Sequence, residues 1–391
     1  MGYVTGQFND SFPPLMDGVA LIIWNYVKWL NKNFGTCYAV VPRFPASAGN
    51  GDEVAGGPVL RYSSVPLMFR SPYRIGLPWV DAPFMTKLHK LDLDLVHSHN
   101  PFSAGLIASR YARKRHVPLV ATFHSSIHQF VDGLLHSRRA TQFILSKVVD
   151  YYESADQVWV SSPYTRDVLK AYGYHGEPEI IPHGTDFAPP GDPEVAAAAG
   201  DKFLGTSISD NVLLYVGYLS REKNLEFLLR ALAQVKKKGI PFKMVFIGEG
   251  YARHELEALT RDLHLAAETR FLGVVRNRER LGNCYARANL FLFPSVNDTY
   301  SMVIREAAVF ATPSVVLEKT TVADVITRGE NGFVTERRID AYAEEISFLL
   351  THPEEVDKAG RGGFRTLYLP WDAIMARIAQ RYAQLISHAR A

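Results

Sequence analysis

Two acidic residues, Asp298 and Glu306, stand eight positions apart in a stretch that leaves an apolar run at Phe293-Pro294, crosses a polar loop and enters a helical pattern. A helix opening near Tyr300, capped by Asp298 or Thr299, would offer unpaired backbone amides, Ser301 among them, and a positive dipole end to an anion such as a diphosphate. At about 1.5 Å of rise per residue the two carboxylates would stand up to ~12 Å apart, a span that suits hydroxyls at the two ends of a bent nucleotide sugar. The same pair has an ordinary reading as a helix cap and a solvated helix residue.

A second stretch, Tyr215-Val-Gly217-Tyr218-Leu-Ser-Arg221-Glu-Lys223-Asn224, ends a strand at Gly217 and opens a helix near Asn224. Cations at a strand's carboxyl end can neutralise a departing diphosphate, which makes Arg221 and Lys223 candidates; solvent exposure is the plain alternative. Gly248, in Val245-Phe-Ile-Gly248-Glu-Gly250, would let backbone approach a ligand closely. The dinucleotide fingerprint is incomplete, because Arg253 stands where its third glycine belongs. Near the start, Gly18 would open an apolar helix beneath a phosphate or serve as a turn residue. His124 ends another strand. His97, His99 and His128 suggest a metal site, but no carboxylate or fourth ligand stands at convincing spacing, and no metal is expected.

These residues need elements to hold them. The 391 residues, 47% hydrophobic and 21% charged, suffice for two globular domains. Strand-like runs at 3–5, 36–41, 60–66, 94–99, 119–124, 157–161 and 179–182 alternate with helical patterns, notably 104–115, 138–155 and 163–172. A Pro-, Ala- and Gly-rich stretch over 186–210 reads as a linker. Strands resume at 212–217, 243–248, 269–275, 290–294, 314–317 and 332–335, and a helix closes the chain over 372–388. The expectation is α/β architecture: two doubly wound, Rossmann-like domains, 1–185 and 211–371, facing each other across a cleft, with ligands outside the carboxyl ends of the strands.

The net charge of +3 is too mild for nucleic-acid binding. Two distant cysteines, Cys37 and Cys284, exclude a disulfide framework and suit a reducing cytosol. No signal peptide or spanning run is expected, which points to a cytoplasmic protein or one peripheral on the cytoplasmic membrane face. A basic cluster at 110–116, and Arg138-Arg139 leading into Phe143, Ile144, Leu145, Val148 and Val149, would suit an anionic lipid surface. Equally, the apolar face of that helix would pack on a sheet.

Taken together these stretches resemble glycosyltransferase family 4, the retaining enzymes of GT-B fold, over nearly the whole chain. Asp298 and Glu306 sit where that family carries Glu-x7-Glu; Ala311-Thr-Pro313 and Asn331-Gly332-Phe333-Val334 continue the pattern. Gly217 and Lys223 match its diphosphate-binding loop, Ile181-Pro182-His183-Gly184-Thr185-Asp186 its closing segment of the acceptor domain, His124 its cleft histidine and Gly18 its N-terminal phosphate-facing glycine. The resemblance implies that Glu306 holds the donor ribose, that Asp298 and the amides after it (Thr299, Tyr300, Ser301) face the transferred sugar, and that Lys223 stabilises the diphosphate. It implies that His124 lies beside the reacting sugar and that the terminal helix packs back on the first domain. Two departures stand out: Asp298 is one methylene shorter than the usual Glu, and Tyr218 replaces an Arg for which Arg221 would compensate.

The expected activity is metal-independent, cofactor-free, retaining hexosyl transfer from a UDP-sugar, glucose first, to a lipid, glycan or small-molecule hydroxyl. A GT-B-type UDP-sugar epimerase and a catalytically silent nucleotide-sugar-binding protein are the alternatives.

Overall fold

In the computed structural model the described residues are 2–15, 18–45, 56–67, 74–124, 137–296, 298 and 300–390, with the side chain of Arg138 left out. The chain forms two compact units, one of Met1–His183 with Trp371–Ala391 and one of Gly184–Pro370.

The first unit holds strands β1 (Tyr3–Phe8), β2 (Gly35–Pro42), β3 (Val59–Tyr62), β4 (Ser64–Pro66), β5 (Arg74–Gly76), β6 (Leu95–Ser98), β7 (Leu119–Phe123), β8 (Gln157–Val160) and β9 (Glu179–Ile180). Seven of them form a parallel sheet in the order β3-β2-β1-β6-β7-β8-β9. Its inner strands β6 and β7 are buried along their length, as parallel sheets require, and their apolar runs are interrupted only by the buried polar residues His97, Ser98 and Thr122. The single strand expected over 60–66 is in fact two. The N–H and hydroxyl of Ser63 both donate to Asp81, at 2.9 and 2.8 Å, which ends the ladder, and β4 pairs antiparallel with β5 instead.

The terminal helix, Trp371–Arg390, completes this unit. Trp29 Nε1 donates to Asp372 at 2.7 Å, Arg377 and Arg381 pair with Glu179, and Tyr382 is fully buried against Trp159, rings stacked at 5.7 Å.

The second unit holds β10 (Val212–Val216), β11 (Lys243–Ile247), β12 (Thr269–Gly273), β13 (Leu290–Phe293), β14 (Ser314–Leu317) and β15 (Phe333–Thr335), all parallel, in the order β12-β11-β10-β13-β14-β15. Leu214, Phe246, Leu292 and Val315 form its core with Leu228, Ile304 and Tyr342 from the covering helices. The unit's ends meet: Thr185 N donates to Leu369 O at 2.9 Å, and Thr185 bridges Pro370.

About half of the linker expected over 186–210 is a helix, Pro193–Leu204, belonging to the second unit. The residues that suggest a loop are its punctuation. Asp192 accepts from the amides of Glu194 and Val195, Pro193 occupies the first turn, and Gly205 is the left-handed C-cap at φ 66°. Its buried stripe, Ala196, Gly200 and Leu204, has small residues at its first two positions, where it packs closely on the helix Arg278–Arg287. A Cβ on Gly200 would lie 2.3 Å from Asn283 O. Among the described residues no helix is long and apolar enough to cross a membrane.

Candidate functional site

In each sheet the strand order reverses once, between β1 and β6 in the first and between β10 and β13 in the second. At such a point the loops leaving two adjacent strands diverge and open a crevice, where ligands of open α/β sheets bind. In the second unit the two loops are those carrying Lys223 and Asp298.

There the side chains meet: Lys223 Nζ donates to Asp298 Oδ2 at 2.5 Å, with 23% and 16% of the two side chains exposed. Lys223 ends a one-turn 3-10 helix, Arg221–Lys223; Asn224, at φ 57°, turns the chain into the helix Leu225–Lys237. The ammonium also lies 5.4 Å from the Phe293 ring centre, and Asn224 Nδ2 donates to Pro294 O at 3.3 Å, so the two loops are tied. Asp298 Oδ1 accepts from Ser301 N at 2.9 Å, and its carbonyl accepts from Thr321.

The helix expected at Tyr300 begins two residues later, as Met302–Val309, with Ser301 at φ 47° before it. Asp298 is therefore not a cap. It closes a turn upstream of the helix, and the first unpaired helical amides fall at Met302 and beyond. Tyr300 stacks on the Arg305 guanidinium at 4.8 Å. The hydroxyls of Ser295 and Ser301 are buried with no hydrogen-bond partner among the described residues. Thr299 and Asp17 lie outside the described residues.

Glu306 is not a solvated helix residue. It is 4% exposed, and its carboxylate accepts from Tyr285 Oη at 2.9 Å and from Arg278 Nη2 at 3.0 Å. Arg278 also donates to Asp186 and lies 3.8 Å over the Phe187 ring. The two carboxylates beside it raise the affinity of this guanidinium for its proton against the opposing effect of burial. Sequence reasoning missed Arg278 and Tyr285. The available signal was helical spacing after Asn277, whose side chain caps Arg280 N at 2.8 Å and so fixes which face Leu281 and Tyr285 bury.

Two further expectations change. Arg221 does not stand in for the arginine that Tyr218 replaces: it is exposed and forked onto Glu255, at 2.8 and 3.2 Å. Gly248 is required by the protein's own backbone, since a Cβ at its φ of 140° would lie 1.9 Å from Gly217 O. These two glycines let β10 and β11 leave the sheet side by side, which supports the Lys223 loop. Tyr218 is itself exposed, with its carbonyl accepting from Tyr215 Oη at 3.1 Å.

In the first unit, Gly18 opens the helix Gly18–Asn33, and a Cβ there would meet nothing within 4 Å. Packing does not demand this glycine. His124, just past β7, is buried and stacked between His99 and His183, at 5.2 and 5.1 Å. Burial pushes its pKa down to about 3, so the ring is neutral at any physiological pH. His99 Nδ1 lies 2.9 Å from His124 Nε2. His128 lies outside the described residues.

Two family descriptions cover the chain almost end to end: Glycosyltransferase Family 4 matches residues 16–188, and Glycosyl transferases group 1 matches residues 176–365. The chain belongs to glycosyltransferase family 4. It is a hexosyltransferase, and its fold is GT-B, built on two parallel-sheet α/β units. Alpha-monoglucosyldiacylglycerol synthase of Streptococcus pneumoniae is 24% identical over 79% of this chain and 69% of its own. A GDP-mannose-dependent alpha-mannosyltransferase of Corynebacterium glutamicum is 25% identical over 97% of this chain and 88% of its own. Among solved structures, Anabaena HepE in complex with UDP and glucose superposes with a TM-score of 0.76 over 98% of this chain and all of its own, at 19% identity.

Proposed function

We propose that this glycosyltransferase moves a hexose, with retention and without a metal ion, from a nucleoside-diphosphate sugar to the hydroxyl of a lipid. The observation that carries the reading is the Lys223–Asp298 pair at the strand-order reversal of the second sheet. A partly buried cation there can exchange its carboxylate partner for a phosphate oxygen, releasing Asp298 to the sugar hydroxyls. Gly217, Gly248, Tyr300 and Ser301 shape that place. The unpartnered hydroxyl of Ser301 suits a polar ligand. Glu306, held in one orientation by Arg278 and Tyr285, accepts from the ribose hydroxyls.

In the reaction the bond between the anomeric carbon and the diphosphate oxygen breaks. Charge grows on the leaving diphosphate, where Lys223 and the first free amides of the helix Met302–Val309 stabilise it. The acceptor oxygen bonds to the anomeric carbon on the face the diphosphate leaves, and its proton passes to that phosphate. No protein nucleophile is needed. Neutral His124 is the proposed neighbour of the sugar, and Gly18 of a phosphate.

UDP-glucose is the first donor to test, and GDP-mannose the second, because a relative that matches over most of both chains carries that donor in its name. The lipid acceptor is supported by the diacylglycerol relative and by the surface of the helix Ser103–Arg115. Phe102, Leu106, Arg110, Arg113 and Lys114 are exposed at helical spacing along it, an apolar tip followed by cations. The helix Arg138–Glu153 contributes less than expected. Leu145, Val148 and Val149 are buried, which leaves Phe143 outward with Lys147 over its ring.

The test is nucleotide release from a panel of UDP-sugars and GDP-mannose, in EDTA, with and without vesicles containing diacylglycerol and an anionic phospholipid. Release with one donor, increased by vesicles, is expected. Release that needs an added divalent cation would overturn the metal-free mechanism, and donor binding without release would favour a silent nucleotide-sugar-binding protein.

A further inference from the structure

A chain of hydrogen bonds runs through the first unit from the terminal helix to His124. Gln7 Nε2 donates to Tyr382 Oη at 3.2 Å, and Tyr382 Oη lies 2.5 Å from His97 Nδ1. Gln7 Oε1 lies 2.8 Å from His99 Nε2, His99 Nδ1 lies 2.9 Å from His124 Nε2, and His97 Nε2 lies 2.6 Å from Thr122 Oγ1. Gln7, Tyr382 and all three histidines are buried, and burial holds the three imidazoles neutral.

A neutral imidazole carries one N–H and one lone pair, so every bond in this chain constrains the next. Gln7 Oε1 only accepts, and His99 must therefore donate from Nε2. Its Nδ1 then accepts, so His124 donates from Nε2 and keeps its lone pair on Nδ1. At the other end, with its oxygen taking the Gln7 amide, the Tyr382 hydroxyl has its proton left for His97 Nδ1; given that proton, His97 donates from Nε2 to Thr122. The side-chain amide of Gln7 decides the whole set. Turned by half a rotation it would donate to His99, every proton in the chain would reverse, and His124 would carry its N–H on Nδ1. The orientation in which Gln7 Nε2 donates to Tyr382 Oη at 3.2 Å is the one that the Tyr382 contact favours, since a hydroxyl giving its proton to His97 keeps its oxygen to receive the amide.

We propose that Tyr382 and Gln7 are positioning residues that fix His124 as the Nε2–H tautomer, so that its Nδ1 meets the substrate as a hydrogen-bond acceptor. This rests on the reading of His124 as a group beside the reacting sugar. No step in it adds or removes a proton: the device orients one.

Tyr382→Phe removes the hydroxyl and keeps the ring on Trp159. The measurement is the two-bond nitrogen–proton correlation spectrum of the full chain with labelled histidine, assigned by single histidine substitutions. It is paired with kcat and donor KM for transfer. In the unaltered chain His124 is expected as a single tautomer protonated at Nε2. In Tyr382→Phe it is expected as a mixture of tautomers, with kcat lower by about tenfold, the scale of one neutral hydrogen bond, and donor KM changed less than about twofold. An Nδ1-protonated His124 in the unaltered chain would overturn the proposal, and so would a single unchanged tautomer in Tyr382→Phe. The first of these is decided without any variant, whether or not Tyr382→Phe folds. His124→Ala with undiminished transfer would instead overturn the role of His124 itself, an outcome the spectra do not depend on.

Discussion

Lys223 and Arg221 are two residues apart and carry the same charge, yet one faces a partly buried aspartate at the strand-order reversal and the other an exposed glutamate on a neighbouring helix. Their substitutions should therefore separate. Lys223→Met is expected to lower kcat/KM for nucleotide release by roughly 10²–10³-fold, the usual range for removing one preorganised charge from a leaving group, whereas Arg221→Met should change it less than about twofold. Equal losses in the two variants would show that the cation acts through the net charge of the loop. Gly18 gives a second contrast. Since an added Cβ meets nothing, Gly18→Ala should leave unfolding midpoints unchanged or raise stability by about 0.5–1 kcal/mol, the helical preference for alanine, while donor KM rises. An unaltered donor KM would mean that no phosphate approaches this helix start. For Glu306, Arg278→Met leaves a buried carboxylate without its cation. Because the guanidinium is a third exposed, the expected cost is about 2–3 kcal/mol in urea unfolding, less than for a fully buried pair.

The helix Pro193–Leu204 shows what separates local signal from tertiary context. Its aspartate, proline and glycine are legible as punctuation, but Ala and Gly on its buried stripe carry little apolar signal, so the segment reads as a connection. Its partner helix, with Asn283 and Arg287, decides otherwise. Gly200→Ala should cost about 1–3 kcal/mol, because the methyl meets a carbonyl that cannot move alone, and chemical denaturation would measure it. The strands were readable for the opposite reason: β7 and β10 are buried along their length, and a short, almost wholly apolar run leaves few other structures. At the site, the stretches carrying Lys223, Asp298 and Glu306 were legible as strand-loop-helix passages. The Lys223–Asp298 contact spans 75 positions, the one from Arg278 to Glu306 spans 28 and the one from Gln7 to Tyr382 spans 375, and no local pattern announces such pairs. That same blindness gave Arg221 a role its partner denies it.

The molecule as a whole should be sensitive to acid through its first unit. His97, His99 and His124 are buried in the neutral form, with folded pKa values far below the unfolded value near 6.5. Above about pH 7 neither state binds these protons, and the three have no effect on stability. As pH falls below about 6.5 the unfolded chain takes up protons that the folded unit refuses, at a cost of up to about 1.4 kcal/mol per pH unit for each histidine. Asp10 works against them. Burial raises its pKa to about 6, so its contribution is full below the unfolded value of 3.8 and is lost as pH rises through about 6. The net expectation between pH 6 and pH 4 is a loss worth roughly two histidines, read as a falling urea midpoint. A midpoint that stays level from pH 7.5 to 5 would mean that the cluster opens and protonates.

The clasp of Thr185 on Leu369 and Pro370 closes the second unit as an insertion within the first. A ribosome delivers residues 371–390 only after the whole of that insertion. The first unit then cannot place Tyr382 beside Gln7, or settle its histidines, until synthesis is nearly over, whereas the second has all its strands beforehand. The unit that begins first is therefore the one that finishes last.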